Sequence, residues 1–191
     1  PLVGPASTRS LAGALADRGW NANAPDLRAA IGSPQMFARA AGAARSADAV
    51  DLLVGHSGAG SVLPLIAEQV NPTIVVYLDA VLPEATTVYR PGSEFLAFVD
   101  RLRSVDGRLP RWHEWWPADV LLHLVPDEGM RRALIAEIPM LRRSFFDGPV
   151  QLPSRWWQRP AAYLQLSDAY DDERARADRW GWPARRLAGQ H

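Results

Sequence analysis

The stretch Asp51-Leu52-Leu53-Val54-Gly55-His56-Ser57-Gly58-Ala59-Gly60 decides the fold. A short apolar segment runs into a serine flanked by small residues, and a helix-compatible stretch, Ser61 to Val70, follows. That order predicts a sharp strand-to-helix bend that lifts the Ser57 hydroxyl out of a sheet. Gly55 and Ala59, two positions before and two after the serine, are small, so strand and helix can pass closely. The usual pattern is G-x-S-x-G. Here alanine fills the last position, and Gly58 and Gly60 add room. A glycine-rich phosphate loop fits less well. Gly58-Ala59-Gly60 has leucine, not glycine, at position 63, and no P-loop spacing is present.

Outward from this bend, strand-like and helix-like segments alternate. Ser7 to Arg18 has helical spacing and a glycine stop at Gly19. Trp20 to Pro25 has a weak strand pattern. Pro34 to Asp48 reads as a helix with Ser33 as cap and Pro34 at its first position. Ala49 to Val54 is an apolar strand, and Pro72 to Asp79 is the clearest strand, rich in β-branched residues. Prolines, tryptophans and short helices then take over. Ser93 to Arg103 is one of these helices, and Glu128 to Ile138, capped by Asp127, is another. Ala161 to Leu166 returns to strand, Asp171 to Trp180 is a polar helix, and Ala184 to Leu187 is a last strand. The alternation predicts an α/β fold, a mostly parallel sheet with helices on both faces. The expectation is one domain over 1–191 with an inserted helical cap at 83–155, a stretch too long for a simple connection.

Composition narrows the chemistry. The 191 residues suffice to bury a core without disulfide or metal staples. There is no cysteine, so disulfides, thiolate metal sites and cysteine nucleophiles are all excluded. Every basic residue is arginine, which excludes lysine Schiff-base chemistry. The 21 basic and 21 acidic residues cancel, arguing against nucleic acid or an anionic membrane surface as partner. No apolar run reaches the ~18 residues of a membrane span, and no secretory signal is visible, so the expectation is a cytoplasmic protein.

A serine hydroxyl needs a base to become a nucleophile, and the base needs an orienting carboxylate. Of four histidines, His56 adjoins the serine on the strand side and reads as packing. His113 and His123 fall in the cap stretch. His191, after the last strand and a Gly-Gln turn, is the candidate base. Asp168, just past a strand, is the first choice for the carboxylate. Asp171 and Asp172 are rivals, as is Asp79 at the end of the preceding strand. The Gly58 N–H, at the start of the helix after the bend, is a candidate oxyanion donor. Five of eight tryptophans lie between 112 and 157, and Trp112, Trp115 and Trp116 suit the wall of an apolar pocket. They equally suit pins that hold the cap, or a contact face of a homodimer. His113-Glu114 lacks the H-E-x-x-H spacing, so no metal site is expected.

The chain resembles the α/β-hydrolase superfamily, and within it small, helically capped, actinobacterial-type members. The likeness rests on Leu53 to Gly60, on Val76-Tyr77-Leu78-Asp79-Ala80 with Leu82-Pro83, and on Leu187-Ala188-Gly189-Gln190-His191. The order Ser57, Asp168, His191 matches the superfamily's Ser…Asp…His order. The resemblance implies a serine hydrolase that cleaves a carboxylic ester or thioester with a small apolar or aromatic acyl group, without cofactor. It makes Pro1-Leu2-Val3-Gly4-Pro5 the oxyanion loop, with Leu2 as second donor because Pro1 has no N–H. It also implies a chain trimmed at both ends, lacking a central strand and a final helix. Two other functions are compatible: a lyase or cyclase using a His–Asp pair as general base, and a small-molecule receptor without catalysis.

Overall fold

The protein is described by a computed structural model that covers residues 2–44 and 49–187. In chain order the described elements are α1 (Ala6–Ala16), α2 (Pro34–Ala43), β1 (Leu52–Ser57), α3 (Leu63–Val70), β2 (Ile74–Ala80), β3 (Val88–Tyr89), α4 (Ser93–Arg101), α5 (Ala118–Leu124), α6 (Glu128–Glu137), β4 (Val150–Gln151), β5 (Ala161–Gln165), α7 (Asp171–Arg179) and β6 (Ala184–Arg186). None of the helices among the described residues is long and apolar enough to cross a membrane. The chain divides into two units, Pro1–Ala40 with Pro91–Gly148, and Ala41–Arg90 with Pro149–His191. The stretch 83–155 is therefore shared. Its middle groups with the first unit and its ends with the second, where β3 and β4 pair antiparallel.

The second unit holds a parallel sheet in the order β1-β2-β5-β6. The β-branched run Ile74-Val75-Val76 suits a strand with neighbours on both sides, and β2 lies between β1 and β5. Along β2 the buried side chains alternate, Val75, Tyr77 and Asp79. Tyr77 pairs in register with Tyr163 of β5, and their rings stack at 6.5 Å. Trp182 covers Tyr77 at 5.6 Å, and Trp156 and Trp180 extend the cluster. Both Trp156 and Tyr163 hand their polar atoms to backbone: Trp156 Nε1 donates to the Thr86 carbonyl at 2.9 Å, and the Tyr163 hydroxyl donates to the Ala80 carbonyl at 2.6 Å. Helix α3 buries Leu63, Ile66, Ala67 and Val70.

The first unit is helical. Val99, Leu109 and Trp115 form one buried cluster, with Leu2, Phe98 and Trp112 packed against it. Leu121, Leu134 and Ile138 form a second, which Trp112 also touches. Asp127 caps α6 as its spacing predicts, accepting from the Met130 N–H at 2.7 Å.

Three expectations on element bounds are corrected. Trp20–Pro25 is not a strand. Gly19, at φ +86°, turns the chain back so that the Trp20 N–H bonds the Leu15 carbonyl of α1, and the run that follows finds no ladder partner among the described residues. Helix α2 ends at Ala43 instead of Asp48, and 45–48 lie outside the described residues. The helix after Ser57 starts as a 3-10 turn, Gly58–Val62, and becomes α-helical at Leu63, where Pro64 fits the first turn.

Candidate active site

Ser57 ends β1 with φ +54° and ψ −130°, a backbone conformation that side chains rarely adopt. Holding it costs on the order of 1–3 kcal/mol, which the surrounding packing must supply. Two glycines make the bend feasible. A Cβ on Gly55 would sit 2.4 Å from Leu63 Cδ1, on the first turn of α3. A Cβ on Gly60 would sit 2.0 Å from the Val81 carbonyl oxygen. The second close approach therefore falls three residues after the serine. The β1–β2 register shifts between His56 and Ser57, so that Ser57 pairs with Ala80. The Val81 N–H then bonds the Ser57 carbonyl at 3.1 Å.

This shift brings the end of β2 beside the bend. Asp79 is fully buried and sits at φ +42°, a second strained residue next to the first. Its Oδ1 accepts from the N–H groups of Leu166 (2.8 Å) and Ser167 (3.0 Å), and its Oδ2 accepts from Ser167 Oγ at 2.8 Å. The donors come from the loop that follows β5, the strand paired with β2. Tyr163 secures the next residue from the other side. Its hydroxyl accepts from the Ala80 N–H at 3.0 Å as well as donating to the Ala80 carbonyl. Burial pushes that phenol well above the ordinary tyrosine range.

Tyr170, at the end of a 3-10 turn over Asp168–Tyr170, brings its hydroxyl 3.3 Å from Ser57 Oγ. Burial raises the phenol's pKa; the bond to Ser57 opposes that, and the charges of Asp79 and Glu173 add to it. The phenol is therefore held in its protonated form, able to donate.

Comparison with solved structures places the fold. A pyrethroid hydrolase matches over 100% of this chain and 86% of its own, with TM-score 0.68 at 19% identity. Polyneuridine aldehyde esterase matches over 97% and 86%, with TM-score 0.66 at 14% identity. A methylesterase from Arabidopsis matches over 96% and 84%, with TM-score 0.63 at 13% identity. The fold is that of the α/β-hydrolases. No family model and no curated protein sequence matches the chain.

Within the α/β-hydrolase frame, the residues singled out by sequence fall as follows. Ser57 and Gly58 lie at the bend. Asp168 is exposed, with 77% of its side chain open to solvent, and is ion-paired with Arg186. Asp171 accepts from Gln165 Nε2 at 2.5 Å and lies 3.9 Å from Arg186, and Asp172 is exposed on the first turn of α7. His191 lies outside the described residues. Leu2 and the tryptophans belong to the first unit. There Trp115 is buried and donates from Nε1 to the Pro110 carbonyl at 2.9 Å, Trp112 is part-buried between the two clusters, and Trp116 is exposed and stacked on Phe98 at 5.0 Å. Sequence reasoning missed Tyr170 and Ser167. Neither carries a local signal, since a tyrosine and a serine in a polar turn have many uses.

Proposed function

We propose that this chain is a serine-dependent hydrolase of carboxylic esters or thioesters. The observation that carries the reading is Ser57: a hydroxyl held at a strained strand-to-helix bend, next to a buried carboxylate held by donors of the β5 loop. The names of the similar structures, a pyrethroid hydrolase, polyneuridine aldehyde esterase and a methylesterase, support ester cleavage as the reaction class.

In this reading Ser57 Oγ attacks the carbonyl carbon while His191 takes its proton. The tetrahedral oxyanion accepts a hydrogen bond from the Gly58 N–H, the first amide past the bend. The leaving group then takes the proton from His191, and water releases the acyl group by the same steps in reverse roles. For the orienting carboxylate we favour Asp79 over Asp168. An acid that steadies an imidazolium works best where it is desolvated and held still. Asp79 is buried and fixed by three donors, whereas Asp168 is in solvent and engaged by Arg186. In this reading the acyl group is small and apolar or aromatic.

The test is turnover of p-nitrophenyl acetate and butyrate by the wild type and by Ser57→Ala. The expected result is a loss of at least about 10³-fold in kcat/KM with unchanged thermal stability. Equal rates in the two proteins would remove Ser57 from the chemistry. Tight ligand binding without turnover would favour the receptor reading.

A further inference from the structure

We propose that Tyr170 is a catalytic residue of the same site: its phenol hydroxyl hydrogen-bonds Ser57 Oγ and sets which way the serine proton points. The inference rests on Ser57 acting as nucleophile, as proposed above.

The geometry comes first. Tyr170 and Ser57 are 113 residues apart, and their side-chain oxygens lie 3.3 Å apart in a part-buried position. Both backbones are fixed independently of that contact. Ser57 is set by the bend and by its carbonyl's bond from Val81. Tyr170 closes a turn anchored on both sides. Before it, the N–H groups of Leu166 and Ser167 are bound to Asp79, and after it α7 begins at Asp171, which Gln165 holds. The phenol is thus delivered to the serine by rigid elements, as a functional contact requires.

Either hydroxyl can donate in this pair, and the chemistry of the attack requires that Tyr170 does. A serine hydroxyl has one proton and two lone pairs. If it donated that proton to Tyr170, the proton would be turned away from any base. With Tyr170 as donor, a lone pair of Oγ is occupied and the serine O–H can point at the base. Burial and two neighbouring carboxylates keep the phenol protonated, so the proton that this sense requires is present. As Oγ loses its proton and gains negative charge in the attack, the hydrogen bond from the phenol strengthens. No proton leaves Tyr170. The serine proton goes to the base, the Oγ–carbon bond forms, and the carbonyl π pair moves to oxygen. Once Oγ is acylated its basicity falls and the phenol is released to the ester oxygens beside it.

The experiment compares wild type, Tyr170→Phe and Ser57→Ala. It measures the rate of covalent labelling by a fluorophosphonate, kcat and KM for p-nitrophenyl acetate, and thermal stability. Tyr170→Phe deletes one oxygen and keeps the ring, and circular dichroism reports whether it folds. The expected result is a 10- to 100-fold fall in both labelling rate and kcat, with KM within about twofold and the melting temperature nearly unchanged. A purely structural phenol would lower the melting temperature and leave the labelling rate of folded protein unchanged. That outcome overturns the proposal, as do wild-type rates in Tyr170→Phe. A wild type that does not label at Ser57 overturns the hydrolase reading and this inference together. Labelling that is equal in wild type and Tyr170→Phe, and absent in Ser57→Ala, overturns this inference alone.

Discussion

Asp79 and Asp168 close two paired parallel strands at the same edge, yet their surroundings are opposite. Asp79 is the penultimate residue of β2, buried, backbone-strained and bonded by three donors. Asp168 follows β5 by three residues, stands mostly in solvent and meets one arginine. Sheet order does not separate them, because β2 and β5 are both interior strands in the order β1-β2-β5-β6. Their distance along the strand does: Asp79 is still inside β2, where the Leu166 and Ser167 donors reach it, whereas Asp168 lies in the turn past those donors and meets Arg186 of β6. A carboxylate's place in sequence after a strand therefore fixes its edge of the sheet, and how far it stands past the strand's end fixes whether it is held.

The comparison breaks most visibly at its two ends. Asp79→Asn is expected to lower ester turnover per folded molecule by about 10³–10⁴-fold, because the amide can no longer steady a charged imidazole. It also sets an NH₂ group against the donors of the 166–167 loop, so a lower melting temperature accompanies the loss. Asp168→Asn is expected to stay within about twofold of wild type in both respects, since an exposed ion pair contributes little. Steady-state kinetics normalised to folded protein reads both. Should Asp168→Asn abolish turnover while Asp79→Asn only softens the fold, the roles would be exchanged.

A smaller change sharpens the same contrast. Ser167→Ala removes the hydroxyl that donates to Asp79 Oδ2 and leaves the two backbone donors in place. The expected cost is about 1–2 kcal/mol of stability by denaturant unfolding. A fall in kcat of roughly tenfold or less should accompany it, because the carboxylate loses one of its restraints. No change in either quantity would mean that Asp79 is held by the backbone alone.

Much of this fold was legible in the chain. The β-branched run of β2, the glycine-lined approach to Ser57 and the Asp127 cap each act locally, so local pattern revealed them. The bend's serine was legible for the same reason. What stayed hidden depends on partners far away in sequence. Asp79 gets its donors from residues 87 and 88 positions on, and nothing around Val76-Tyr77-Leu78 announces that the next side chain is sealed. Tyr170 reaches Ser57 across 113 residues. Trp156 and Trp182 both meet the Tyr77 ring, and Trp156 meets Trp180, contacts across the sheet that no local pattern announces. The alternation at Trp20–Pro25 misled because a weak pattern without a paired neighbour does not make a strand.

The most direct test of the central claim is to locate the covalent adduct that a fluorophosphonate forms, by intact mass and peptide mapping of the wild-type chain. The account predicts one adduct per chain, on the peptide containing Ser57, abolished by Ser57→Ala. No adduct, or an adduct on another residue that survives Ser57→Ala, would contradict it.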